Sequence, residues 1–152
     1  MALSADEVLQ RIPQQKPFRF IDRILSIDAD RIVGEYTFRT DEVFYPGHFP
    51  GDPVTPGVIL IEAMCQTGVV ALGIYLLSLE APDEVQRTTT LFTDASVEFS
   101  RVVKPGETVR IEAEKVFWRR RKLKSRVRML AADGATVAEA TVSGLGVTRA
   151  EH

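Results

Sequence analysis

Residues 56–80 read PGVILIEAMCQTGVVALGIYLLSLE, and this stretch decides the fold. The segment from Val58 to Leu79 is apolar almost throughout, which predicts one long helix. Pro56 and Gly57 stand at its start, where the first turn of a helix tolerates missing or free amide groups. A helix that is apolar on nearly every side must be covered on most of its surface, so the rest of the chain has to wrap around it.

The same stretch is also long enough to cross a lipid bilayer, for which about 20 apolar residues suffice. Two polar residues, Glu62 and Gln66, interrupt its first half. A carboxylate inside hydrocarbon is strongly unfavourable unless it is compensated. Strands of a soluble type are predicted on both sides, so a buried core helix is favoured over a membrane span.

The segments around the long helix are strand-like, and most of them follow it. Residues 108–116 alternate apolar and charged side chains, which is typical of an antiparallel sheet with one solvated face. A capping box at Ser4–Glu7 predicts a short helix that ends near Arg11. The predicted strands are residues 18–27, 32–38, 88–99, 108–118, 122–131 and 136–147.

One long helix and about six strands predict the α+β class, with a single curved antiparallel sheet around the helix. Residues 1–148 are predicted to form one domain, and residues 149–152 a short tail.

Composition excludes several classes of protein. The chain has 152 residues, 45% of them hydrophobic, and a net charge of -2, which excludes disorder as its main state and leaves no overall nucleic-acid footprint. The single cysteine, Cys65, excludes an intramolecular disulfide framework, and with two histidines, His48 and His152, leaves too few ligands for a zinc site. The N-terminus lacks the features of a signal peptide, so a cytoplasmic protein is expected.

Three residues around the helix start could carry chemistry. His48 lies in a loop rich in proline and glycine, and the near-neutral reference pKa of a histidine side chain suits a general base. Glu62 lies in the apolar helix, where desolvation should raise its pKa and favour the protonated acid. Gly57 lies where free amides and the helix dipole stabilise developing negative charge. Each residue alone also has a structural explanation, and the spacing does not decide whether His48 and Glu62 meet within one chain or across a dimer.

The order of residues 48–66, HFPGDPVTPGVILIEAMCQ, resembles the central motif of the 3-hydroxyacyl-acyl-carrier-protein dehydratases of type II fatty acid synthesis. Further similar segments are residues 17–23 (PFRFIDR), 99–106 (FSRVVKPG) and 133–140 (DGATVAEA). The resemblance implies a hot-dog fold, an antiparallel sheet wrapped around the long helix. It also implies dimers with a continuous sheet, often assembled as a trimer of dimers.

The resemblance implies a role for each matched residue. His48 would be the catalytic base and Glu62 the acid, each supplied by an opposite subunit, with glutamate typical of the branch that only dehydrates. The Gly57 amide would bind the thioester carbonyl, and Gln66 would hydrogen-bond the acid. The expected reaction is dehydration of (3R)-3-hydroxyacyl-acyl-carrier-protein to the trans-2-enoyl product.

The substrate would be carried on the phosphopantetheine of acyl carrier protein, and no metal or other cofactor is expected. An apolar tunnel between subunits would receive the acyl chain, with Phe49 and Val58 among its lining residues.

A basic cluster of seven cations in ten positions runs from Arg119 to Arg128. It is compatible with docking of acidic acyl carrier protein, with a solvated hairpin end, or with a nucleic-acid patch. The resemblance favours the carrier protein and excludes nucleic acid as a partner. The candidate docking residues are Arg101, Arg119, Arg120, Arg121, Lys122 and Lys124.

Two other functions are compatible with this type of fold. A hot-dog acyl-thioesterase would use an acidic residue to activate water, and generally lacks the order of residues 48–62 seen here. A non-catalytic acyl-binding or carrier-binding partner subunit would usually have lost His48 or Glu62, and both are present. Dehydration is therefore the favoured function.

Overall fold

The computed structural model describes residues 2–149. A short N-terminal helix, Ala5–Arg11, begins at a capping box formed by Ser4 and Glu7. The central helix spans Gly57–Glu80. The strands are β1 (Arg23–Ile27), β2 (Arg31–Thr37), β3 (Thr88–Phe99), β4 (Thr108–Arg119), β5 (Lys122–Ala131) and β6 (Thr136–Thr148).

The six strands form one sheet in the order β1-β2-β4-β5-β6-β3, and every neighbouring pair is antiparallel. Alternating residues on its inner face are buried against the central helix, which confirms the predicted α+β arrangement. The innermost of these residues include Ile32, Ile111, Leu123, Val127 and Val142. Arg149 donates its backbone N–H to the Arg87 carbonyl at 2.7 Å, while the remainder of the predicted tail, residues 150–152, lies outside the described residues.

The central helix is largely buried although its length and composition would suit a membrane span. Its middle turn, Gln66–Ala71, is π-helical. At Gly68 the sheet approaches so closely that a Cβ atom would lie 2.8 Å from Cγ2 of Val127. Ser125 of β5 donates its hydroxyl to the Gly68 carbonyl at 2.6 Å. The π-helical turn is therefore fixed against the sheet by close packing and a buried hydrogen bond.

The predicted first strand was wrong over its first five residues, because β1 begins only at Arg23. The backbone groups of Phe18 and Phe20 hydrogen-bond to the side chain of Gln66 instead of to a neighbouring strand. The Phe20 N–H donates to Oε1 of Gln66 at 2.7 Å, and Nε2 of Gln66 donates to the Phe18 carbonyl at 2.9 Å. A buried side-chain amide thus satisfies the backbone groups that a neighbouring strand would otherwise have paired.

The β4–β5 hairpin closes through Arg120 and Arg121, both with positive φ, at 52° and 63°. Two-residue hairpin turns of this kind favour Asn-Gly, because a Cβ atom disfavours the left-handed region. Here Arg119 to Lys122 form the end of the hairpin, while Lys124, Arg126 and Arg128 of the basic cluster lie along β5.

Candidate active site

His48 lies in the loop between β2 and the central helix, directly after a short 3-10 turn, Tyr45–Gly47. Its backbone N–H donates to the Tyr45 carbonyl at 3.2 Å, and its carbonyl accepts from the Val54 N–H at 2.9 Å. The loop therefore folds back on itself around the histidine and holds it in a defined place.

The tautomer of a neutral His48 ring follows from its hydrogen bond. Nδ1 lies 2.8 Å from the Val54 carbonyl oxygen, which can only accept. In the neutral imidazole Nδ1 is therefore the protonated nitrogen, and Nε2 keeps its lone pair. This tautomer presents a proton acceptor away from the loop.

Phe49 stacks on the His48 ring, with the ring centroids 4.1 Å apart and the planes 24° apart. The Phe49 side chain is 53% exposed. Phe49 thus covers one face of the imidazole, and the exposed part of the Phe49 ring leaves apolar surface next to it.

The start of the central helix offers backbone donors. Among residues 2–149 the N–H groups of Gly57 and Val58 have no acceptor, as is usual in the first turn of a helix. The ring of Phe99 covers Gly57, and a Cβ atom at position 57 would lie 3.2 Å from its Cζ. Val58 is 71% exposed. These amides and the helix dipole can stabilise negative charge that develops on a ligand oxygen.

Glu62 is half-buried and hydrogen-bonded to the fully buried Gln66, whose Nε2 donates to Oε2 of Glu62 at 2.9 Å. The Phe20 N–H fixes the orientation of the Gln66 amide, because a backbone N–H can only bond to the amide oxygen. Oε2 of Glu62 is therefore an acceptor, and a neutral Glu62 carries its proton on Oε1. Burial raises the pKa of Glu62, and the bond from Gln66 opposes this rise in part.

The two candidate catalytic groups of one chain do not bond to each other. No hydrogen bond or ion pair joins His48 to Glu62 in the described part of the chain. The structure instead brings together His48 with Phe49, Glu62 with Gln66, and Gly57 with Phe99. Within one chain the candidate base and the candidate acid thus have separate hydrogen-bond partners.

The predicted docking residues do not form one patch within a chain. Arg101 makes a two-pronged ion pair with Asp133, at 2.9 and 3.0 Å, beside the β5–β6 turn. The other candidates, which we call the hairpin cations, lie at the opposite end of the sheet: Arg119, Arg120, Arg121, Lys122 and Lys124. Lys122 pairs with Leu145 near the end of β6, whereas Phe99, close to Arg101, pairs with Ala138 near its start.

Several hairpin cations have partners of their own. Nitrogen atoms of Arg121 and Lys122 lie 3.9 and 4.0 Å from carboxylate oxygens of Glu84 and Asp94. The guanidinium of Arg119 lies over the ring of Phe117. Between residues 2 and 149, Arg120 and Lys124 take part in no ion pair, so no carboxylate of the described chain neutralises either cation.

Cys65 is buried, as expected, and burial and the nearby Glu62 raise the pKa of its thiol to about 12. The thiol is therefore neutral and unsuited to nucleophilic attack. No three His, Cys, Asp or Glu side chains of residues 2–149 are grouped so that they could hold a metal ion.

Sequence reasoning missed three contributors. Phe99 lies in the similar segment 99–106, but its packing over Gly57 is a contact between residues far apart in sequence. The Val54 carbonyl is a backbone atom, so no residue type marks it as the partner of His48. The tie between Gln66 and residues 18–20 spans 46 residues, and only the amide type of the side chain hinted at it.

Comparison with known proteins identifies the family. The model of the FabA-like domain matches residues 12–141. A 3-hydroxyacyl-[acyl-carrier-protein] dehydratase FabZ of Chloroflexus aggregans is 36% identical over 132 residues, which cover 86% of this chain and 88% of the relative. The chain belongs to the 3-hydroxyacyl-[acyl-carrier-protein] dehydratase family. Another FabZ dehydratase, from Desulforamulus reducens, is 41% identical over 74% of this chain and 75% of its own.

Solved structures show that this dehydratase-family chain has the expected hot-dog fold. The dehydratase heterocomplex ApeI:P of Xenorhabdus doucetiae matches with a TM-score of 0.74 and 13% identity, over 93% of this chain and 91% of that one. A thioesterase of Haemophilus influenzae matches with a TM-score of 0.68 and 15% identity, over 100% and 96%. Since both enzyme types share it, the fold alone does not select the reaction.

The raised pKa of Glu62 predicts how substitution changes stability with pH. Well below the ordinary glutamate pKa of about 4.3, Glu62 is neutral in the folded and unfolded chain. As pH rises, the unfolded chain releases this proton before the folded chain does, so wild type loses stability relative to Glu62→Gln. Urea unfolding at one protein concentration, from about pH 4 to about pH 8, should show that the free energy of unfolding of the variant rises relative to that of wild type. A constant or opposite difference would contradict the raised pKa.

Proposed function

We propose that this chain removes water from (3R)-3-hydroxyacyl-acyl-carrier-protein to form the trans-2-enoyl thioester, with His48 as base and Glu62 as acid. The observation that carries the proposal is the pair of complementary proton states. His48 keeps the lone pair on Nε2 because Nδ1–H is held by Val54, and burial favours a proton on Glu62. An elimination of water requires one group of each kind.

The residues can complete the reaction with balanced protons. Nε2 of His48 takes the proton from the α-carbon, and the electron pair of that C–H bond forms the new double bond as the bond from the β-carbon to its hydroxyl oxygen breaks. Oε1 of Glu62 donates its proton to the leaving oxygen, which departs as water. The Gly57 amide stabilises the negative charge on the thioester oxygen. The reaction involves no net oxidation or reduction, so it requires no redox cofactor.

His48 with its loop and Glu62 with Gln66 form two separate half-sites on one chain. They favour a homodimer as the working unit, with residues 1–148 as one domain in each subunit. β3 is an edge strand of twelve residues, and Leu91, Phe92 and Phe99 on it are about half exposed. An unpaired edge of this kind is suited to pairing with another strand. Two-fold pairing of β3 would extend the sheet across the dimer and bring a second subunit to the helix start that Phe99 covers. Dimers could assemble further into a trimer of dimers.

The same pairing supports the proposed acyl tunnel and carrier surface. Exposed Phe49 and Val58 would line the tunnel where the subunits meet. Antiparallel β3 strands would place the basic hairpin of one subunit at the same end of the joint sheet as Arg101 of the other. The docking residues that one chain keeps apart would thereby flank one site, and an acidic carrier protein in the cytoplasm would be their partner.

Turnover of a 3-hydroxyacyl-acyl-carrier-protein, followed by the absorbance of the conjugated enoyl thioester, tests the proposal. Wild type should form the enoyl product, and His48→Ala and Glu62→Gln should each lower kcat by about 100-fold or more, the usual contribution of a general acid or base. Circular dichroism and sedimentation of each variant should match wild type.

Other outcomes separate the competing functions. Product that survives His48→Ala would remove the proposed base. Release of free acid and thiol by wild type would indicate a thioesterase. Tight binding of the carrier protein without turnover of any acyl chain would indicate a non-catalytic partner subunit.

Charge reversal at the hairpin tests the docking surface. Arg120→Glu with Lys124→Glu should raise KM for a carrier-bound substrate about tenfold or more at low salt and leave kcat unchanged, because close charges steer association. The same acyl group on a short pantetheine thioester should show no change in KM.

Arg23→Glu, at an exposed arginine on β1 that β2 separates from the hairpin strands, is the control. An equal rise in KM for this control, or for the short thioester, would contradict docking at the hairpin.

A further inference from the structure

Tyr45 and Thr55 form a buried polar pair beside the His48 loop. Each residue is 3% exposed, and the Tyr45 hydroxyl lies 2.7 Å from Oγ1 of Thr55. The Tyr45 ring packs edge-on against Phe44 with its centroid 4.8 Å away. A hydroxyl group buried in such surroundings is unfavourable unless it is hydrogen-bonded, so the two hydroxyls depend on each other.

The pair closes a ring of hydrogen bonds around His48. At one end, the Tyr45 carbonyl accepts the His48 N–H at 3.2 Å. At the other end, Thr55 follows Val54, whose carbonyl holds Nδ1 of His48 at 2.8 Å and whose N–H donates to the His48 carbonyl at 2.9 Å. The Tyr45–Thr55 contact joins these ends through side chains.

Thr55 is also anchored to the body of the fold. Its N–H donates to the carbonyl of Val103 at 2.8 Å, and Val103 is fully buried. The backbone of Val103 therefore holds the peptide group between Val54 and Thr55, and Tyr45 holds the side chain of Thr55 at the end of that peptide group. That peptide group contains the carbonyl that sets the His48 tautomer.

We propose that the Tyr45–Thr55 hydrogen bond positions the Val54 carbonyl against His48 and so keeps the imidazole in the tautomer with a free Nε2. Tyr45 and Thr55 are positioning residues, because neither contacts the reacting atoms. This inference rests on the proposed role of His48 as base for its catalytic consequence, while the tautomer itself can be measured without turnover.

The chemistry of the pair suits a permanent contact. Burial raises the pKa of the Tyr45 phenol, so its hydroxyl keeps a proton at neutral pH. A neutral imidazole has two tautomers, and the hydrogen bond made by one ring nitrogen decides which of them is populated. If the Val54 carbonyl shifts by a fraction of an ångström, Nδ1 loses its acceptor and the proton can move to Nε2, which removes the base.

Four variants separate positioning from simple packing. Tyr45→Phe removes only the phenol hydroxyl, and Thr55→Val removes its partner while keeping the side-chain shape. Thr55→Ser keeps the hydroxyl group, so it should keep the wild-type tautomer of His48. Tyr36→Phe is the control for the loss of a buried phenol hydroxyl, because Tyr36 is equally buried at 2% exposed and its hydroxyl bonds to the Glu42 side chain rather than to Thr55.

The decisive readout is the 15N spectrum of the imidazole ring in protein labelled at histidine, at mildly alkaline pH. The signals of His152, the other histidine of the chain, are identified by His152→Gln. Wild type, Thr55→Ser and Tyr36→Phe should show protonated Nδ1 and unprotonated Nε2 for His48. Tyr45→Phe and Thr55→Val should shift both signals toward a mixture of tautomers.

Kinetics on the same proteins should follow the spectra. Tyr45→Phe and Thr55→Val should lower kcat by about 10-fold to 100-fold at unchanged KM, the loss expected when a catalytic group is slightly misplaced. Thr55→Ser should stay near wild type.

Unchanged His48 signals in both Tyr45→Phe and Thr55→Val would overturn the inference, and so would an equal shift in Tyr36→Phe, which would indicate general loosening. A wild-type protein without dehydratase activity would refute the proposed function, while a tautomer shift confined to the Tyr45–Thr55 variants would still support positioning.

Discussion

The side-chain amide of Gln66, fully buried in the central helix, makes three hydrogen bonds on which the acid half of the site depends. Two of them replace strand pairing for Phe18 and Phe20, and the third fixes Oε2 of Glu62. Leaving a buried polar group without its partner costs about 1–3 kcal/mol. The amide can satisfy all three partners only in one orientation, so the N-terminal segment, the helix and the acid are held in place together.

The candidate base, His48, is oriented by a backbone group, whereas the candidate acid, Glu62, is oriented by a side chain. The Val54 carbonyl orients His48, as the Gln66 amide orients Glu62. Among residues 2–149, Nε2 of His48 and Oε1 of Glu62 make no hydrogen bond. The proposed site combines these two groups from different chains, and the exposed edge strand β3 is the surface proposed for the pairing.

Sequence predicted the parts of the fold that depend on local pattern. The central helix was expected at residues 58–79 and spans Gly57–Glu80, because an apolar run with a proline-glycine start specifies its own ends. β3, β5 and β6 also agree closely with their expected ranges. The first strand failed at residues 18–22, since hydrophobic pattern cannot show that a side chain 46 residues away replaces a strand.

The candidate site shows the same division. His48, Gly57, Glu62 and Gln66 could be selected by residue type and order. The partner of His48 could not, because it is a backbone carbonyl, and the separation of Arg101 from the basic hairpin follows from sheet register rather than from composition.

Active-site complementation tests the central claim most directly. Chains carrying His48→Ala and chains carrying Glu62→Gln would be coexpressed with two different tags and the mixed dimer isolated. If His48 and Glu62 act across the subunit interface, one of its two sites has both residues intact, and the mixed dimer should reach about half of wild-type turnover per dimer. A mixed dimer as inactive as the two parent variants would contradict a site shared between subunits.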